Sequence, residues 1–190
     1  MNYCVILVYC VLDRKTKSML FSSYCLDAYG SQMWPFYDKS INNYFTAWRK
    51  TIRKIWRLPN LTHCRFLHTV NDSLSIDIML EKRCLKFVWS CLNSSNCIVK
   101  GIANNSIVQS SSVFGENYRF LSNKYNIWPS YWKKPFNCIL KCVDNYVCVH
   151  LVHFNEAIMI RDLCLNIDSG NFTVSTCEEM CHLIEYLCTI

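Results

Sequence analysis

Apolar and basic residues alternate between Lys39 and Arg57 in the most regular pattern of the chain. The apolar residues recur at steps of three and four, which places them along one face of an α-helix. They are Ile41, Tyr44, Phe45, Trp48, Ile52, Ile55 and Trp56. Pro59 cannot continue a helix, and Asn60 is a frequent turn residue. The pattern therefore predicts an amphipathic helix over 39–57 with its apolar face in a protein core.

A second helical pattern ends at Leu92, and Ser73 or Ser75 can cap its start. Its apolar residues lie on two faces, which is typical of a helix packed between neighbours. One face contains Ile76, Met79, Leu80, Cys84, Phe87 and Cys91, and the other contains Ile78, Leu85, Trp89 and Leu92. We expect this helix at the centre of a bundle, in contact with the 39–57 helix. The predicted contact residues are Trp48, Ile52, Phe87 and Cys91.

The remaining segments have weaker patterns. Further helices are predicted at 15–30, 114–124, 155–167 and 175–188. The Asn- and Ser-rich stretch 93–112 is predicted to be a loop with room for a short helix over 97–103. The proline-punctuated stretch 128–135 is predicted to be irregular, and 143–154 is compatible with a strand or a buried helix.

These elements predict a mainly α fold: an irregular helical bundle with long polar loops and at most one short strand pair. The corresponding division is an unplaced N-terminal segment over 1–14, a helical region over 15–96, a loop-rich linker over 97–137 and a C-terminal helical segment over 138–190. The scarcity of Gly and Pro, four of each, argues against a turn-rich β-sandwich or barrel.

Composition excludes a disordered chain and leaves two interpretations of the cysteines. Hydrophobic residues make up 52% of the 190 residues and charged residues only 18%. Fourteen cysteines fit either a disulfide scaffold of a secreted domain or reduced thiols in a core. Core residues are plentiful, and several cysteines occupy apolar helix positions. We therefore expect reduced, structural thiols.

Five segments carry a resemblance to a known family. They are YGSQMW (29–34), YFTAWRKTIRKIWRLPNLTH (44–63), LEKRCLKFVWSCLNSSN (80–96) and the closing pair IRDLCLNIDSG and EEMCHLIEYLCT. They resemble the region C-terminal to the polymerase core in non-LTR retrotransposon reverse transcriptases, in particular jockey-like mobile elements. The resemblance implies that 15–96 is a thumb-like region of an RNA-directed DNA polymerase. It also implies a grip on the template–primer duplex and a partner in the polymerase core of the parent element.

The catalytic residues of that family cannot be assigned here. A reverse transcriptase holds two magnesium ions with paired carboxylates, and this chain has no Asp-Asp sequence. We therefore expect no catalytic residue, no cofactor and no enzymatic activity in the chain as it stands. Six residues of metal-ligand types lie close in sequence and make zinc the candidate metal: Cys138, Cys142, Cys148, His150, His153 and Cys164. No subset has the spacing of a standard zinc site, so no metal is predicted.

The basic residues around the two main helices are the predicted site. They are Arg49, Lys50, Arg53, Lys54 and Arg57 on the first helix, with Lys82 and Lys86 on the second. With a net charge of +6, they suit sequence-independent contacts to an RNA or DNA backbone. The competing interpretation is a solvated helix face without a partner.

The prediction is thus a non-catalytic fragment of a reverse transcriptase that at most binds RNA or DNA. We expect it inside the cell, in cytoplasm or nucleus, not secreted and without a membrane contact. Its longest N-terminal apolar run, Cys4–Leu12, has about a third to a half of the length of a membrane span. Two alternatives stay open: a secreted cysteine-rich binding domain, and a relic reading frame without a selected function.

Overall fold

The computed structural model describes residues 12–25, 28–62, 64–71, 73–109, 112–150, 162 and 165. The α-helices are α1 (Arg14–Cys25), α2 (Asn42–Trp56), α3 (Cys64–Val70), α4 (Ile76–Leu92), α5 (Cys97–Val108), α6 (Val113–Lys124) and α7 (Phe136–His150). Short 3₁₀ helices lie at Ser31–Met33, Lys39–Ile41 and Pro129–Lys133. The fold is mainly α, as the sequence pattern predicted.

No strand occurs in the described residues, so the allowance for a strand pair was wrong where it can be checked. Residues Val143–His150 of that stretch belong to α7, which buries Ile139 and Val143 completely. Spacing of four residues places these two side chains on one helix face, and that periodicity outweighs the β-branched composition of the segment. The helices predicted at 155–167 and 175–188 lie outside the described residues, apart from residues 162 and 165.

The chain divides into two units that combine distant segments. The first unit takes its described residues from 1–28, 46–75 and 153–190, and the second from 29–45 and 76–152. This division differs from the predicted boundaries after 14, 96 and 137, because segments far apart in sequence pack together. Trp48 belongs to the first unit and Phe87 to the second, so the packing of their helices stays a prediction.

Helix α4 is the centre of the second unit. It contacts α5, α6, α7 and the 3₁₀ turn Ser31–Met33. Both of its apolar faces contain buried residues, as expected for a helix between neighbours: Ile76, Ile78, Leu80, Cys84, Leu85 and Val88. Towards the end of the helix, Phe87, Trp89, Cys91 and Leu92 are half-buried. Asn117 of α6 ties a further segment to this core, since its amide accepts from Phe36 N at 3.0 Å and donates to Trp34 O at 2.7 Å.

A buried carboxylate lies on α4 among these apolar side chains. Glu81 is 4% exposed and accepts two hydrogen bonds of 2.8 Å from the Lys124 ammonium, besides one from the Tyr125 hydroxyl. Burial raises the pKa of Glu81 above its ordinary value, although Lys124 acts in the opposite direction. A buried charge is tolerated when it is paired and hydrogen-bonded in this way, and the network joins α4 to the end of α6.

In the first unit, one side-chain amide joins three segments. Asn71, directly after α3, accepts hydrogen bonds from the Ser18 hydroxyl of α1 and from Trp56 Nε1 of α2, the latter at 2.9 Å. Its Nδ2 donates to Ser73 Oγ at 2.9 Å. Asn71 is only 7% exposed, so these bonds satisfy polar groups that would otherwise be buried without partners.

The predicted linker 97–137 is largely helical: α5 extends the short helix expected over 97–103 to Val108, and α6 corresponds to the helix expected over 114–124. Asn96 caps α5, because its side chain accepts from Ile98 N at 2.9 Å and from Val99 N at 3.4 Å. Ser112 caps α6 in the same way, accepting from Gly115 N at 3.0 Å. The irregular stretch 128–135 contains the 3₁₀ helix Pro129–Lys133. Local capping therefore makes helices where apolar periodicity is weak.

Candidate nucleic-acid interface

Helix α2 is strongly amphipathic, and its apolar residues are buried as predicted. Trp48, Ile52, Ile55 and Trp56 are at most 5% exposed, and Ile41 and Phe45 before them are also buried. Burial of this face determines which residues of the helix remain available to solvent.

Three cations occupy the outer side of this helix. Lys50, Lys54 and Arg57 are exposed; a spacing of four residues places Lys50 and Lys54 on one face, and Arg57 directly follows the end of the helix. No acidic residue occurs in the sequence between Asp38 and Asp72, whereas seven Lys and Arg residues do. Cations at the C-terminal end of a helix also interact favourably with its dipole. The face thus combines positive charge with an absence of carboxylates in the same stretch of sequence.

The last turn of α2 holds Arg57 in an unusual backbone conformation. Its φ is 53°, in the left-handed region that usually takes glycine at a helix end. Leu58 N donates to Arg53 O at 2.8 Å and Arg57 N donates to Lys54 O at 3.3 Å, which is the Schellman arrangement. A left-handed non-glycine residue costs about 1–2 kcal/mol. The chain therefore ends this helix on an exposed arginine at an energetic cost.

Arg53 has a structural role that the sequence pattern did not reveal. It is half-buried, and its guanidinium donates to Thr62 O from Nε at 3.1 Å and from Nη2 at 2.6 Å. Burial lowers the pKa of Arg53, with a smaller effect in the same direction from Arg49. The two hydrogen bonds fix the turn after Pro59 against α2. Arg49 is also half-buried, so these two arginines differ from the exposed cations.

The predicted residues on α4 belong to the second unit. Lys82 forms a salt bridge of 2.8 Å with Asp144 of α7, so its positive charge is paired within that unit. Lys86 is exposed. Of the seven predicted residues, the structure brings the five of the 49–57 stretch together within the first unit and leaves these two in the other.

Six of the cysteines with described side chains are free thiols. They are Cys84, Cys91, Cys97, Cys138, Cys142 and Cys148. No group of three or more metal-ligating side chains occurs among the described residues, while His153 and Cys164 lie outside them. Over the same part of the chain, none of the helices combines the length and the apolar character needed to cross a bilayer.

Comparisons with protein-family models, with curated proteins and with solved structures found no match for this chain. The interpretation of the site therefore depends on its geometry and on the sequence segments that resemble reverse transcriptases.

Proposed function

We propose that this chain is a non-catalytic nucleic-acid-binding fragment that contacts phosphates through the outer face of α2. The observation that carries the proposal is the exposure of Lys50 and Lys54 on one face of α2, with the exposed Arg57 directly after the helix, opposite the buried residues Trp48, Ile52, Ile55 and Trp56. Exposed ammonium and guanidinium groups donate to phosphate oxygens without reading the base sequence. RNA and DNA are thus expected to bind similarly.

We further propose that the chain derives from the thumb and C-terminal region of a non-LTR retrotransposon reverse transcriptase. The proposal is supported by the Trp-containing sequence segments around α2 and α4 and by the helical fold. Free thiols at six of the described cysteines suit a reducing compartment, so we place the chain in the cytoplasm or nucleus. The parentage is tested by sequencing the upstream DNA and translating it in all reading frames. We expect it to encode a polymerase palm with an Asp-Asp turn. An unrelated upstream gene would argue against the proposed parentage.

The binding test is a fluorescence-anisotropy titration of labelled single-stranded RNA, single-stranded DNA and an RNA–DNA hybrid at several salt concentrations. Three phosphate contacts predict a slope of log affinity against log salt of about −2 to −3. Changing Lys50 and Lys54 together to Gln should reduce the magnitude of that slope by about 1.4–1.8 and weaken all three ligands. Arg53 is left unchanged, because its replacement would also release the Thr62 carbonyl.

The matched control removes the same two charges elsewhere. Lys15 of α1 and Lys141 of α7 are exposed and lie outside the predicted site. A variant with both changed to Gln should retain the parent slope. If it loses as much affinity as the Lys50/Lys54 variant, binding reflects net charge and the α2 face is only a solvated surface. Circular dichroism should show unchanged helicity in both variants.

A primer-extension assay tests the non-catalytic part of the proposal. The purified chain, given an RNA template, a DNA primer, nucleotides and magnesium or manganese, is expected to add no nucleotide, since it lacks paired carboxylates. Template-dependent extension that co-purifies with the chain through several columns would contradict the proposal.

A further inference from the structure

The second unit contains a cleft of about 610 Å³ that the α2 proposal does not involve. Its walls come from the end of α4, from α5 and α6, and from the 3₁₀ helix Pro129–Lys133. This volume lies within the range of sites that hold small organic ligands. A ligand of this cleft would not depend on the proposed nucleic-acid binding.

Two lysines give the cleft its charge. Lys100 of α5 and Lys133 of the 3₁₀ helix both line it, and no Asp or Glu among the described residues does. Both are exposed, and neither has an ion-pair partner among the described residues. An anionic group on a ligand would be attracted by both ammonium groups.

The rest of the lining is aromatic, aliphatic and amide. Trp132 and Tyr118 pack against each other with ring centroids 4.9 Å apart, and Leu92 and Ile107 add aliphatic surface. Burial raises the pKa of Tyr118, so its hydroxyl stays protonated and can donate a hydrogen bond. Asn104 on α5 lines the cleft and is exposed, so its amide is available to a ligand.

Trp132 adds an unpartnered polar atom to this wall. The residue is 4% exposed, and its Nε1 is buried without a hydrogen-bond partner in the described part of the chain. Buried indole N–H groups usually have a partner. The backbone around it is nevertheless fixed from α4, because Asn93 Nδ2 donates to Trp132 O and Trp89 Nε1 donates to Lys134 O, each at 2.9 Å.

We propose that this cleft binds a small organic anion that carries an aromatic ring, the chemistry shared by mononucleotides and aryl phosphates. The ring packs on the apolar and aromatic wall, and the anionic group lies between Lys100 and Lys133. Neither part of the ligand suffices alone, because the apolar surface offers no charge recognition and two exposed lysines hold a bare anion only weakly.

The test is a nuclear magnetic resonance titration of the full-length chain, labelled with ¹⁵N, with four separate probes. Adenosine 5′-monophosphate and phenyl phosphate represent the two ligand sources, and adenosine and inorganic phosphate represent the two halves. At least one of the first two should give saturable shifts at the cleft with an affinity of about 1 mM or tighter. Adenosine and inorganic phosphate should each bind at least about tenfold more weakly than the whole ligand. Saturation by only one of the two whole ligands identifies the source.

Neighbouring lysines supply a matched pair of variants. Lys100→Gln and Lys133→Gln should each reduce the affinity for the probe by about fivefold, which is the upper end of the range for an exposed ion pair. Lys134→Gln should have no effect, because the Lys134 ammonium lies 4.6 Å from the centre of the Tyr131 ring and does not line the cleft. Asn104→Trp should block the cleft without touching either charge.

Three results would overturn the inference. The first is the absence of saturable shifts with both whole ligands up to about 10 mM, well above the expected range. The second is inorganic phosphate binding as tightly as adenosine monophosphate, which would mean a bare anion site. The third is an equal loss of affinity in Lys134→Gln and Lys133→Gln, which would mean a diffuse charge effect.

Discussion

Helices α5 and α6 lie close together at Gly115, and the contact leaves no room for a side chain. Gly115 lies in the first turn of α6, where a Cβ would overlap the backbone oxygen of Ser106 and lie 3.1 Å from its carbonyl carbon. The same Cβ would lie 3.0 Å from Ser112 Oγ, which donates to Ser106 O at 2.7 Å and caps α6. The obstacle is backbone, so it cannot rotate away.

The cost of Gly115→Ala follows from two opposing effects. Overpacking against a fixed group costs about 3 kcal/mol, at the upper end of the usual range. The higher helix propensity of alanine returns about 1 kcal/mol. The net destabilisation is therefore about 2 kcal/mol, which lowers the melting temperature of a chain of this size by about 4–8 °C.

Gly101 provides the matched control within the same helix pair. It lies on α5, is exposed, and a Cβ there would meet no atom within 4 Å. Gly101→Ala should therefore raise the free energy of unfolding by up to about 1 kcal/mol. Urea unfolding followed by far-ultraviolet circular dichroism measures both variants. If Gly115→Ala is neutral or stabilising like Gly101→Ala, the close approach of the two helices is wrong.

Three further predictions concern the core and the thiols. Trp48→Ala should lower the free energy of unfolding by about 3–5 kcal/mol in urea titrations, because the ring is 5% exposed; a loss under about 1 kcal/mol would place it in solvent. Burial raises the pKa of Glu81 in the folded state, so the folded chain keeps the Glu81 proton to a higher pH than the unfolded chain does. The free energy of unfolding should therefore fall as pH rises from about 4.5 through the raised pKa. Glu81→Gln, which cannot ionise, should lack this contribution, and a parent-minus-variant difference in unfolding free energy that is constant with pH would contradict the assignment. Burial raises the pKa of the Cys84 thiol to about 12, so timed iodoacetamide labelling read by mass spectrometry should modify the exposed Cys97 first; equal rates would refute the burial of Cys84.

The two main helices were predictable because their patterns reflect burial. The apolar positions of α2 recur with one period, and its buried residues follow that period. Helix α4 has apolar residues on two faces and is buried on both. In each case the hydrophobic effect acts on residues that are close in sequence, so a local pattern carries the information.

Helix α5 was predicted only in part, as a short helix over 97–103 within a loop, because its apolar side chains are largely exposed. Ile98, Ile102 and Val108 are 69%, 62% and 84% exposed, and Ala103 is its buried residue. A helix that buries so little leaves no apolar period in the sequence. The usable signal was Asn96, whose side chain caps the first turn.

The role of Arg53 and the cleft required the tertiary structure. The Arg53 guanidinium binds a backbone carbonyl nine residues away, and that contact depends on the path of the chain after Pro59. The cleft takes Lys100 from one helix and Lys133 from a short 3₁₀ helix, each without a local motif. No spacing rule relates such residues, because only the packing of α4 against its neighbours brings them together.

Trp89 of α4 and Asn93 directly after it make two hydrogen bonds, to the Lys134 and Trp132 carbonyls, that have a consequence for rates. Ordering the five residues Pro129–Lys133 at the moment of binding would cost about 5–10 kcal/mol in backbone entropy, yet these two bonds already fix one carbonyl within the segment and one directly after it. Association with the cleft therefore needs no preceding rearrangement of this wall. In rapid-mixing experiments the observed rate should rise linearly with ligand concentration in a single phase, without the plateau that a slow conformational step produces.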